Sequence, residues 1–198
     1  MTTVFIAGSI SIRHLHPKVR ERIMNIVRQE FEVVVGDADG ADTAIQHFLH
    51  AMAYRRVTVF CSGQAPRNNI GQWPVRRIPA TQRPGTRAFF TAKDIAMADV
   101  ADSGLMIWDA KSTGTLGNVI ELLNRQKYSW VFIDPPTQFL AVKCAERIEA
   151  LLSCMSAAAR LQAQRKLGLE HRLPALHVNA KQSNLFTQDV SGALHAAH

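Results

Sequence analysis

The chain has 198 residues, of which 47% are hydrophobic and 20% charged, and its formal net charge is +7. That length suits one α/β domain with a substantial core plus a tail, and no apolar run reaches the roughly 20 residues needed to span a bilayer. Cys61, Cys144 and Cys154 are odd in number and lack metal-type spacing, so they read as reduced thiols, and the opening "MTTVFIAGSISI" has no basic leader, so a cytoplasmic protein with no membrane partner is expected.

Apolar runs and helical patterns alternate along the chain. Strands are predicted at Val4–Ala7, Glu32–Gly36, Arg56–Cys61, Gly104–Trp108 and Trp130–Ile133, with helices at Pro17–Gln29, Ala41–Tyr54, Ala88–Val100 and Thr115–Gln126. The strand segments are short, rich in Val, Ile and Phe, and apolar on both faces, as in a parallel sheet covered by helices. The fold class predicted is therefore α/β: a doubly wound, mostly parallel, Rossmann-like sheet of about five core strands with helices on both faces. The expected organisation is a nucleotide-binding domain over 1–136, a helical extension over 137–168 and a flexible tail over 169–198. One long connection, Ser62 to Gly85, lacks helical periodicity, and Trp73 within it suggests a packed loop, a lid or an edge hairpin. From Phe139 to Gly168 a single helical stretch is expected, which covers the sheet or pairs with a second copy in a homo-oligomer.

The charge is unevenly placed. No Asp or Glu occurs from Thr43 to Lys93, an interval that holds Arg55, Arg56, Arg67, Arg76, Arg77, Arg83, Arg87 and Lys93. Arginine is well shaped for bidentate contact with phosphate, and a solvated basic surface is the plainer reading.

Ligands of open parallel sheets bind beyond the carboxyl ends of the strands, where strand order reverses. Three predicted strand ends carry polar, small-residue sequences: "AGSISIR", "GDADGAD" and "WDAKSTGTLGN". In the third, Ser112, Thr113, Gly114 and Thr115 open a helix, which makes this stretch the best phosphate site in the chain or an ordinary Ser/Thr cap. In the first, Gly8, Ser9 and Arg13 could hold a base or a second phosphate, or form a tight turn. In the second, Gly36 and Gly40 would let the backbone approach a ligand, Asp37 would face the cleft and read a ribose, Asp39 is a turn residue and Asp42 suits a helix start. Lys93 and Asp94 read as a phosphate ligand and an acid/base, or as a surface pair. Trp108 could stack on a base or lie in the core, and Asp109 suits a hydroxyl. The histidines form no HxxxH or HExxH pattern and no GxSxG elbow occurs, so neither a metal, a cofactor nor a serine-hydrolase site is predicted.

Together, "VFIAGSISI", "VVVGDADGADTAIQHFL" and "WDAKSTGTLGN" resemble the superfamily that joins the DNA-processing protein A (Smf) family with the Lonely Guy phosphoribohydrolases. The resemblance spans roughly Thr2 to Pro135 and is strongest to small, uncharacterised bacterial members of its Rossmann-like SLOG group. It implies a sheet that binds nucleotides or nucleotide-derived ligands. The Lonely Guy "PGGxGTxxE" signature is matched only at Gly114 and Thr115; its Glu falls on Asn118, which cannot act as a general acid or a carboxylate partner. In the tail, "QSNLF", with Gln182, Leu185 and Phe186, resembles the peptide by which bacterial replication proteins dock on the sliding clamp.

Three functions follow. The leading one is a nucleotide-binding sensor or N-glycosidic-bond hydrolase, with Asp37, Asp94 or Asp109 as the catalytic carboxylate. The alternative is a single-stranded DNA-binding protein of replication or repair, with the sliding clamp as a further partner. The third is an oligomeric scaffold.

Overall fold

A computed structural model describes residues 1–79, 81–174 and 176. The chain runs β1 (Thr3–Gly8), α1 (Pro17–Arg28), β2 (Glu32–Gly36), α2 (Ala41–Ala51), β3 (Val57–Ser62), β4 (Val75–Ile78), α3 (Arg87–Val100), β5 (Ser103–Trp108), α4 (Thr113–Asn124), β6 (Ser129–Ile133), β7 (Gln138–Val142), α5 (Glu146–Ser153) and α6 (Ala157–Leu167). The strands form one sheet in the order β4-β3-β2-β1-β5-β6-β7, parallel except for β7, which pairs antiparallel with β6. The expected doubly wound α/β fold is present.

Alternate side chains of each strand feed two cores, because successive residues of a strand point to opposite faces. Val4, Ile6, Val33, Val35, Val57, Val59, Leu105 and Ile107 meet α1 and α2 on one face. Phe5, Val34, Phe60, Met106, Trp108, Val131 and Ile133 meet the helices from α3 onward on the other. Each fully buried Val, Ile or Phe contributes roughly 1.5–3 kcal/mol, which explains why the apolar runs set the register. Helix α1 shows the local logic. Pro17 stands in its first turn, His16 Nδ1 accepts from Lys18 N–H at 3.2 Å, and Val19, Ile23 and Ile26 make one buried stripe.

Two elements depart from the expectation. The connection Ser62–Gly85 contains β4, whose two central residues, Arg76 and Arg77, are exposed. Charged side chains on an outer strand prevent edge pairing, and they also hide the strand from a hydrophobicity reading. Trp73 packs this connection down, buried in the α1/α2 core with Nε1 donating to the Tyr54 carbonyl at 2.8 Å. The stretch expected as one helix from Phe139 to Gly168 is instead a strand and two helices. Gln138–Val142 pairs with β6, and α6 starts afresh where the Ser156 hydroxyl caps Ala159 N–H. A five-residue apolar run is compatible with either period. Residues 169–174 are helical again, and Leu169 and Leu176 are buried in the core. The residues of the clamp-like peptide, Gln182, Leu185 and Phe186, lie outside the described residues. Among the described residues, no helix is long and apolar enough to cross a membrane.

From β1 the chain winds outward through β2 and β3 to β4. It then returns across the sheet by α3 and continues on the other side with β5. The carboxyl ends of β1 and β5 thus form the point where strand order reverses.

Candidate functional site

A cleft of about 510 Å³ opens at that point. It is lined by Gly8 at the end of β1 and Ile10 just beyond it, Ala38 after β2 and Asp42 in the first turn of α2, Arg67, and Arg87, Phe90, Thr91, Lys93 and Asp94 of α3. Asp109 to Thr115 and Asn118 form the wall from β5 to α4, except Ala110, and Gln162 and Lys166 of α6 close the far side. Nine of the residues predicted from the sequence therefore meet here: Gly8, Asp42, Lys93, Asp94, Asp109, Ser112, Thr113, Gly114 and Thr115.

The α4 entrance is held by a hydrogen-bond network across the switch point. Ser9 Oγ donates to Asp109 Oδ1 at 3.0 Å and lies 3.3 Å from Thr115 Oγ1. Ser11 Oγ donates to Asp109 Oδ2 at 2.6 Å, while the N–H groups of Lys111 and Ser112 donate to Asp109 Oδ1. Ser112 Oγ accepts from Thr115 N–H, and the Trp108 indole donates to the Ser112 carbonyl at 2.9 Å. Burial pushes the Asp109 pKa up, but the hydrogen bonds from Ser11, Ser112, Lys111 and Ser9 outweigh it and hold the carboxyl below its ordinary value. This carboxylate positions the turn that aims α4.

Helix α4 begins at Thr113, so the N–H groups of Thr113 and Gly114 have no acceptor within the helix. They carry the positive end of the helix dipole into the cleft. Gly114 is exposed, and a Cβ built on it would meet only Ser112 Oγ, at 3.8 Å. Nothing in the packing demands a glycine there. Around this turn stand Arg87, whose guanidinium reaches the Thr113 carbonyl at 3.4 Å, and the exposed Lys111 and Lys166. Lys111 and Lys166 form no ion pair among the described residues.

The β2 end is built differently. Lys93 is 4% exposed, with Nζ 2.8 Å from Asp94 Oδ1 and 3.9 Å from both Asp37 Oδ1 and Asp42 Oδ2. Arg67 adds a bidentate pair to Asp37, with Nε at 3.1 Å and Nη2 at 2.8 Å, and its backbone N–H donates to the same carboxylate. Burial raises the Asp37 pKa, but Arg67 and Lys93 more than offset it, and the net shift is downward. Asp42 goes the other way. Burial dominates, Lys93 opposes it, Asp94 and Asp37 add to it, and the pKa is raised to about 6. Burial alone would lower the Lys93 pKa, yet Asp94, Asp42 and Asp37 turn the net shift upward.

This placement changes several expected roles. Asp37 is 2% exposed, does not line the cleft and anchors the Arg67 loop, so it is no free ribose reader. Lys93 lines the cleft, yet its charge is taken up by carboxylates. A Cβ on Gly36 would lie 2.3 Å from Asp42 Oδ2 and 2.6 Å from Lys93 Nζ, so that glycine makes room for the charge cluster rather than for a ligand. Gly40 has φ +76° and packs against the Ile10 carbonyl, which explains it by backbone conformation and contact with the β1 loop. Trp108 is buried at 1% and braces the α4 cap. Ser9 lies beneath the cleft, and Arg13 lies beyond the loop, in a separate groove. Of the three carboxylates expected to act chemically, Asp94 alone both lines the cleft and keeps an oxygen, Oδ2, that accepts no hydrogen bond among the described residues. Asn118 lines the cleft, and Glu121 is turned away to pair with Arg125 and Arg172. Gln162 and Lys166 were not foreseen, because only tertiary packing brings α6 to this edge.

No family model and no curated protein matches the sequence. The fold is similar to that of a solved structure. It is DNA processing protein A from Helicobacter pylori, reported for a unique single-stranded DNA binding mode, at 20% identity and a TM-score of 0.50. The likeness covers 66% of this chain and 64% of that one, so it spans less than two thirds of that protein's length. What the two share at this level is the fold.

Proposed function

We propose that the cleft binds the phosphate backbone of single-stranded DNA. The observation that carries this reading is the α4 entrance. Two N–H groups without intrahelical acceptors, beside an exposed glycine, are ringed by Arg87, Lys111 and Lys166. Phe90 lies in the same cleft and offers a ring to a base. The fold likeness to a protein reported for single-stranded DNA binding favours the same ligand. With two or three phosphates engaged, affinity for an oligothymidylate should fall with salt at a log–log slope of about −1.4 to −2.1. Fluorescence anisotropy of a labelled strand measures that slope. Affinity that stays flat with salt rejects the reading.

A second reading rests on the size of the cleft, whose volume of about 510 Å³ suits a mononucleotide. In that version the phosphate sits at the same helix entrance and Asp94 faces the sugar. Competition by nucleoside monophosphates against the labelled strand separates the two. Displacement at micromolar nucleotide favours the small ligand.

A further inference from the structure

Behind the β1–α1 loop lies a second groove, of about 420 Å³, between the start of α1 and the outer face of α2. Arg13, His14 and Arg20 line one side, with His47 and Phe48 on the other, and no Asp or Glu is among the lining residues. Arg13, His14, Arg20 and His47 are all exposed. Arg20 Nε donates to the Leu15 carbonyl at 3.0 Å, which fixes its guanidinium, and its two terminal nitrogens make no hydrogen bond among the described residues. Neither Arg13 nor Arg20 forms an ion pair among the described residues. An unopposed pair of guanidiniums beside two imidazoles is an anion-attracting surface, and half-buried Phe48 adds an apolar patch.

The groove is close to the cleft. Ile10 lines the cleft and is 65% exposed, and Arg13 lines the groove three residues later. Since a chain spans at most about 3.5 Å per residue, their Cα atoms are within about 11 Å. The loop between them is fixed, because Ile12 N–H donates to the Ser9 carbonyl, Ala41 N–H donates to it as well, and the Ile10 carbonyl packs on Gly40. A strand leaving the α4 entrance past Ile10 therefore meets the guanidiniums of Arg13 and Arg20 next.

We propose that this groove is a second subsite for single-stranded nucleic acid, engaging the phosphates of nucleotides that extend beyond the cleft. The proposal rests on the reading of the cleft given above. It predicts that affinity grows with strand length through residues that short strands never touch.

The test compares labelled oligothymidylates of about 5 and about 15 nucleotides, lengths that bracket common single-strand site sizes. Arg13→Glu and His47→Glu alter exposed side chains with no bond to lose. Each should weaken the longer strand about tenfold, and Arg13→Glu should also make its salt slope shallower by about 0.7, with the shorter strand unchanged. Lys111→Glu should weaken both lengths. Equal weakening of both lengths by Arg13→Glu, or no effect on either, overturns the subsite. Wild-type protein that binds neither length overturns the reading of the cleft itself, and the subsite with it.

Discussion

The ends of β2 and β5 both carry a glycine, acidic residues and the start of a helix, yet they use charge in opposite ways. At the β2 end, Asp37, Asp42 and Asp94 surround Lys93 and Arg67 seals Asp37; Lys93, Asp37 and Asp42 are buried, while Asp94 and Arg67 stay partly exposed. At the β5 end, one carboxylate, Asp109, is saturated by hydroxyl and amide donors, and the cations nearby point to solvent. A buried cluster that satisfies itself has little left for a ligand, whereas a helix entrance with spare N–H groups does. The glycines tell the same story. Gly36 is required by its neighbours, and Gly114 is not.

The comparison breaks most visibly at Lys93. Lys93→Ala leaves the buried carboxylates of Asp37 and Asp42 short of a cation and should cost about 3–5 kcal/mol of stability. Lys111→Ala, at the other end, should change stability by less than about 0.5 kcal/mol. Chemical denaturation of both variants checks the contrast, and a mild Lys93 variant would mean that the cluster is looser than its distances indicate.

Asp42 gives the next largest effect, and it depends on pH. The folded protein holds this proton more tightly than the unfolded chain does, with a pKa of about 6 against 3.8. The group's contribution therefore favours folding at low pH and is lost as pH rises through about 6. Asp42→Asn should be close to neutral at pH 4 and more stable than wild type by about 2 kcal/mol at pH 7. A difference that does not grow between those pH values contradicts the assignment. Asp37 and Asp109 have the opposite sign. Their lowered pKa values stabilise the fold above the ordinary carboxylate range, and that stability is lost as pH falls.

Smaller in stability is Gly36→Ala, whose added methyl must push aside the Asp42 carboxylate and the Lys93 ammonium, at a cost of about 1–3 kcal/mol. Thermal unfolding monitors it. A melting temperature equal to wild type would show that these side-chain tips can move aside freely.

Much of this was legible in the residues themselves. The five apolar strands announced a parallel sheet because each is buried on both faces, and the topology then forced "AGSISIR", "GDADGAD" and "WDAKSTGTLGN" to one edge. What stayed hidden depends on distance along the chain. Asp37 looked free because its partner Arg67 stands 30 residues away, across a connection that resembled a loop. Asp109 looked like a ligand group, and Trp108 could be read as a ligand or a core residue, because their hydrogen bonds to Ser112, Ser9 and Ser11 close only in the folded state. Strand β4 was masked by its own arginines, and Lys166 reaches the cleft only through the packing of α6.

The central claim is that the α4 entrance, and not the β2 charge cluster, receives the ligand. Gly114→Glu tests it most directly, since the side chain has room but places a carboxylate where a phosphate would sit. Oligothymidylate anisotropy, run beside an unfolding curve, should show binding weakened more than about tenfold with stability unchanged. Wild-type affinity in that variant would contradict the claim.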